Sequence, residues 1–186
     1  MCKKLVLLSF LSMICLESYA QQPSSYGVRG GVNISNFTDA EKGNSKMGIH
    51  LGVFKDFKLN EKLSFQPELL YENLGKKDKV YDFERVVSNH YLSLPLLLKY
   101  RLIEDLSIEG GIQLAYLISS ETSIDEQKAD SKGVFNNNTS VVFGLSYNVT
   151  PHIFLTGRYN IGINPIYKET SNAKLTNIFL SLGYNF

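Results

Sequence analysis

From Tyr26 onward, apolar and polar residues alternate along the chain. Tyr26, Val28, Gly30, Val32 and Ile34 share one face, and Gly27, Arg29, Gly31, Asn33 and Ser35 share the other. Side chains on a strand point to opposite sides in turn, so a period of two predicts a β-strand with one apolar face and one polar or small face. The pattern recurs over Met47–Phe57, Leu63–Glu72, Tyr91–Arg101, Leu106–Ile118, Ser140–Val149, Ile153–Ile163 and Asn177–Phe186. Only Lys55 breaks the apolar face of the second run, close to its end. This gives eight strands, each about as long as the ~9–11 residues a tilted strand needs to cross a bilayer.

The connections alternate in length. Short polar links fall at Leu59–Lys62, Ile103–Asp105 and Thr150–His152, and long ones at Thr38–Ser45, Asn73–Asn89, Ser119–Asn137 and Asn164–Ala173. Bacterial outer-membrane barrels have this asymmetry, with short turns in the periplasm and long loops outside. The expected fold is all-β: an eight-stranded antiparallel up-and-down transmembrane barrel with both chain ends on the periplasmic rim. Pro95 and Pro67 lie within strands and cannot donate a ladder hydrogen bond, so a bulge or bend is expected at each.

The same alternation fits a soluble barrel of the lipocalin kind, with its apolar face turned inward around a cavity. Three features favour lipid on the outside. The polar face is crowded with small residues (Gly27, Gly31, Gly48, Gly52, Ser64, Ser93, Gly144, Ser181 and Gly183 among them) where a water-facing surface carries Lys and Glu. Its charges balance, with Arg29, Lys99, Arg101 and Arg158 against Asp56, Glu68, Glu72 and Glu109, as an enclosed space requires. Aromatic residues on the apolar face are sorted by height. Tyr26, Phe57, Tyr100, Tyr147, Tyr184 and Phe186 lie at the short-turn rim, and Tyr71, Tyr116 and Tyr159 near the other, which predicts two interfacial girdles.

The first twenty residues predict an address rather than structure. Lys3 and Lys4 precede an apolar run from Leu5 to Leu16, and Ser18-Tyr19-Ala20 supplies small residues at −3 and −1. A cleaved signal peptide over 1–20 and a barrel domain over 21–186 are expected. An uncleaved anchor would need a longer apolar run, and a lipoprotein would need a small residue where Ile14 precedes Cys15. Cleavage removes both cysteines, Cys2 and Cys15, and leaves equal numbers of positive and negative side chains. Disulfides therefore do not hold the mature chain together. No other segment is apolar enough for a spanning helix, so a membrane role must use strands.

Composition narrows the classes further. Of 186 residues 44% are hydrophobic and 20% charged, with 19 Lys+Arg against 18 Asp+Glu. That fits one folded domain and lacks the basic excess of nucleic-acid binding. Lys99 and Glu109 sit on adjacent strands, and one register places them face to face, with Arg29, Glu68 and Arg158 at similar or slightly greater height and Glu72 on the same inward face. These six predict a salt-bridge network filling the lumen, because eight-stranded barrels barely hold their own side chains. The alternative is a narrow pore or a small-ligand-binding barrel. The histidines suggest no enzyme: a triad of His90 with Ser88 or Ser93 and Asp82 or Glu84 has no nucleophile elbow or metal-ligand spacing to support it. No cofactor or metal is expected, and the acidic stretch Glu121, Asp125, Glu126 and Asp130 lacks the order of a calcium loop. The long loops read as solvated surfaces.

Several segments carry a resemblance. Gly27-Val28-Arg29-Gly30-Gly31-Val32-Asn33, Leu63-Ser64-Phe65-Gln66-Pro67-Glu68-Leu69-Leu70-Tyr71 and Tyr91-Leu92-Ser93-Leu94-Pro95-Leu96-Leu97-Leu98-Lys99-Tyr100 are similar to the PorT-like outer-membrane β-barrel family of Bacteroidota, as are Arg158-Tyr159-Asn160 and Gly183-Tyr184-Asn185-Phe186. The resemblance implies an outer-membrane barrel of a Gram-negative bacterium, in most members without an assigned activity, and in the name-giving member with a link to protein secretion. It also implies that Phe186 ends a last strand of the kind read by barrel-assembly machinery. The expected partners are outer-membrane lipid, that machinery during insertion, and an envelope protein met through the loops. The expected role is structural or interaction-type and non-enzymatic.

Overall fold

The structure is a computed structural model and describes residues 24–38, 44–80, 83–124, 127–167 and 172–186. The expected signal segment, Met1–Ala20, lies outside the described residues, as do Asp82, Asp125 and Glu126. Among the described residues nine strands follow one another: β1 (Ser25–Thr38), β2 (Asn44–Lys58), β3 (Leu63–Val80), β4 (Phe83–Arg101), β5 (Leu106–Ile124), β6 (Gln127–Asp130), β7 (Asn138–Asn148), β8 (Ile153–Gly162) and β9 (Lys174–Asn185). Consecutive strands pair antiparallel except at β6, where β5 pairs with both β6 and β7, and β1 pairs β9, so all but the short β6 close one ring. Closure pairs the backbone groups that an open edge would leave bare, which hydrocarbon does not tolerate. Among the described residues no helix is long and apolar enough to cross a membrane.

Strand parity is as the alternation predicts. Glu68 and Arg158 are 2% and 5% exposed, whereas Ile112 and Leu180 on the other face are 45% and 61% exposed. The aliphatic face therefore points outward and the ionic face inward, opposite to a lipocalin. The long connections differ from expectation. Asn73–Asn89 is not a loop, because β3 and β4 stay paired from Asn73↔His90 to Val80↔Phe83. β5 continues alongside them to Arg85↔Ile124 and then folds back onto β6. One side of the barrel thus rises well above the other.

The prolines do not create bulges. Pairing of β3 with β4 skips from Pro67↔Leu96 to Leu70↔Ser93, and pairing with β2 skips from Phe54↔Glu68 to Phe57↔Phe65, both without a change of register. Each proline removes one donor and opens the ladder locally while the strands on either side hold the alignment. The register shifts lie elsewhere, between Ser45 and His50 against β3 and at His90/Tyr91 against β5. The second leaves an extra β5 residue at Ile118 and switches the inward parity from Leu117 to Ser120.

Candidate functional site

The chemistry-bearing residues lie in the lumen, which is stacked in layers. At mid-height Arg29 on β1, Glu68 on β3, Glu109 on β5 and Arg158 on β8 converge across the interior. Arg158 grips Glu68 with two parallel bonds, Nη1 to Oε2 at 2.7 Å and Nη2 to Oε1 at 2.6 Å, while its Nε donates to Glu109. Arg29 Nη1 donates to Glu68 Oε1 at 2.7 Å, and Gln66 Nε2 donates to the same oxygen at 2.6 Å. Two cations and two carboxylates are matched in charge, and the fork of Arg158 suits a carboxylate geometrically. Breaking such a buried pair is costly because the remaining charge has no solvent to turn to.

Two glycines make room for this layer. A Cβ on Gly144 would lie 2.8 Å from Glu109 Oε1 and 2.9 Å from Arg158 Cγ. A Cβ on Gly183 would lie 2.0 Å from the ring of Phe154. That ring makes an edge contact with Phe54, centroids 5.4 Å apart, and both the Arg29 guanidinium and the Lys99 ammonium stand over it, at 5.6 and 5.4 Å.

The six residues expected in one network therefore separate. Arg29, Glu68, Glu109 and Arg158 come together. Lys99 is paired in register with Glu109, as expected, but its ammonium lies over Phe154. Glu72 is apart: Ser93 donates to it at 2.9 Å and Gln113 Nε2 at 3.0 and 3.1 Å, and Gln113 in turn accepts from Asn160 at 3.0 Å. Gln66, Gln113 and Asn160 were legible as inward positions, yet only assembly shows that they serve the carboxylates. His50 faces Ser181 at 2.7 Å and Phe179 edge-on. The space bounded by His50, Ser181, Arg29 and Gln113 has no room for a water molecule. His90 bonds Tyr71 at 2.6 Å and lies beside Asn73, while Ser93 is committed to Glu72, so the imagined His90–Ser93 arrangement is not assembled. Among the described residues no group of three His, Cys, Asp or Glu is arranged to hold a metal ion.

Toward the long-loop rim the filling changes character. Phe37, Leu74, Val87, Tyr91, Leu117, Leu175 and Phe179 form an apolar cluster, completed by Phe135, Ile166 and Ala173 from the connections after β6 and β8. Phe135 and Tyr167 form a β-bridge, and their rings lie tilted against one another with centroids 5.1 Å apart. Asn136 ties the two connections together by donating to the carbonyls of Pro165 and Tyr167 at 3.2 and 3.0 Å. These connections are thus not simply solvated surfaces: they fold inward and cap the lumen. Lys76 and Asp78 are also enclosed, paired at 2.9 Å, and Arg85 closes on the same carboxylate. At the tip of the raised wall, the hydrogen bonds from Arg85, with Lys76 beside them, hold the Asp78 carboxyl down at about 2.

At the short-turn rim the lumen opens into a cavity of about 300 Å³ lined by Lys58, Lys62, Lys99 and Arg101 among others. On the outer face Tyr26, Tyr71, Tyr100, Tyr116, Tyr147, Tyr159, Tyr184 and Phe186 are all exposed and Phe57 is half-buried. Tyr26 stacks on Phe186, which meets Tyr184 edge-on, across the β1–β9 seam.

A closed barrel with an aliphatic exterior and ion pairs inside is the class of transmembrane β-barrel. The comparisons agree. The family model described as outer membrane protein beta-barrel domain matches residues 19–168, and the chain belongs to that family. The protein is located in the bacterial outer membrane. Among solved structures, Neisserial surface protein A superposes with a TM-score of 0.60 at 15% identity, covering 89% of this chain and 100% of the other. Ail, the attachment invasion locus protein of Yersinia pestis, does so with a TM-score of 0.54 at 15% identity over the same shares. These likenesses establish the fold. No curated protein sequence matches the chain.

Proposed function

We propose that this protein is a non-enzymatic barrel closed to solutes, with a structural or interaction role exercised through its extracellular side. The observation that carries this reading is the filled lumen. The space enclosed by Arg29, His50, Glu72, Gln113 and Arg158 admits no water molecule, and the apolar cluster with Phe135 and Ile166 stands between it and the exterior. A conduit would need a continuous wetted path, which eight strands of this filling do not leave.

The outward face, with its aliphatic residues and the aromatic residues from Tyr26 to Phe186, suits acyl chains and their boundaries. β9, with Tyr184 on its outer face and Phe186 directly after it, suits recognition by barrel-assembly machinery during insertion. The raised wall of β3, β4 and β5 and the capped loops are where an envelope protein partner would meet the molecule. The motifs of β1, β3 and β4 support membership of the PorT-like group, and with it an accessory place in secretion or envelope assembly. Planar-bilayer recording on the purified barrel tests the reading: silence is expected, and steady unitary currents would replace it with a narrow pore.

A further inference from the structure

The cavity at the short-turn rim is a pocket rather than a channel mouth. None of Arg29, Glu68, Glu109 or Arg158 lines it, so it ends below the ion cluster. Short turns face the periplasm in bacterial outer-membrane barrels, which makes this a dead-end recess open to that compartment. Its charges are unlike those above it. The ion cluster matches each cation with a carboxylate, whereas the recess gathers Lys58, Lys62, Lys99 and Arg101 against Asp56 and Glu61.

The arrangement of two of these cations is specific. Lys99 and Arg101 are two apart on β4 and share its inward face. Lys99 lies opposite Ser64 of β3, and Arg101 lies opposite Ser107 of β5. All four residues line the recess. Lys99, Arg101 and two seryl side chains on three adjacent strands thus line one space, with the Lys99 ammonium also over the Phe154 ring. Guanidinium and ammonium donors bind oxyanions by charge-assisted hydrogen bonds, and hydroxyls add donors without adding charge.

We propose that this recess is a binding site for an oxyanion, a carboxylate or phosphate group presented from the periplasm. Its volume of about 300 Å³ admits a small organic acid or the end group of a longer molecule. This site is independent of the loop-based role and does not require the lumen to conduct.

The test uses the full folded barrel in lipid nanodiscs, with amide chemical shifts followed during titration by pyrophosphate, citrate and, as a neutral control, raffinose. Saturable shifts are expected at Ser64, Lys99, Arg101 and Ser107 with at least one of the two anions and none with raffinose. Tighter binding of pyrophosphate assigns a phosphate ligand, and tighter binding of citrate a carboxylate. R101Q and K99M should each weaken binding about tenfold, the worth of one charge-assisted hydrogen bond, while K132Q in the opposite rim's connection should leave it unchanged. Heat-modifiable gel mobility verifies that each variant is folded, and the exposed Arg101 provides a variant that does not depend on the fate of K99M. Absence of saturable shifts with both anions, or equal affinity in R101Q and the parent protein, overturns the proposal.

Discussion

The two halves of the lumen are filled by different means. The lower half is held by a few directed, charge-assisted bonds among Arg29, Glu68, Glu109 and Arg158. The upper half is held by undirected apolar contact among rings and aliphatic side chains, several of which come from outside the strands. The lower arrangement depends on every partner being present, because removal of one leaves a buried charge. The upper one depends on volume, and its cost of damage grows with the cavity left behind. The barrel wall gives both the same scaffold, so the difference lies in the side chains.

The sharpest way to break the lower half is Glu68→Ala. It strands Arg158 and Arg29 together, and a loss of ~3–5 kcal/mol is expected in urea unfolding from lipid or detergent. An unchanged midpoint would show that the guanidinium groups find other partners. Ile166→Ala probes the upper half and should cost ~2–4 kcal/mol if the capping connection is part of the cooperative unit. Should the connection instead detach by itself, the global midpoint would hold while amides near Asn136 and Ile166 lose exchange protection. The two layers are also expected to act as seals in series. Neither variant alone should conduct in planar bilayers, whereas the double variant should. Conductance from either single variant would mean that only one layer closes the barrel.

Gly183→Ala comes next. Its methyl group would overlap the Phe154 ring, so destabilisation of ~1–3 kcal/mol is expected, eased when combined with Phe154→Leu. The smallest effect concerns pH at the raised wall. The Asp78 carboxyl is held near 2 in the folded protein, below the usual carboxylate range. The stability it lends the β3–β4 tip is present above about pH 4 and is lost as pH falls toward 2. Amide exchange at the tip should rise over that window and should be independent of it in Asp78→Asn.

Legibility in the sequence divides along the same line. The lower half was readable because its residues lie on regular strands: parity alone placed Arg29, Glu68, Glu109 and Arg158 inside, and one allowed register gave the Lys99–Glu109 pairing that is observed. The upper half was not. Phe135, Ile166 and Tyr167 sit in connections with no period, and a hydrophobic residue there reads the same whether it meets solvent or folds back into the mouth. The continuation of β3 and β4 past Asn73 was missed for a related reason. Lys76, Lys77 and Asp78 read as a solvated run, whereas Lys76 and Asp78 neutralise one another on the inner side.

By itself, the chain's alternation determined the number of barrel strands, the face each residue occupies and the membrane as solvent, because a period of two leaves a side chain only two directions. Which inward residues meet was decided by closure. Joining β1 to β9 and β4 to β5 sets the relative heights of strands far apart in sequence, and it is this stagger that gave Glu68 to Arg158 and left Lys99 facing the periplasmic recess.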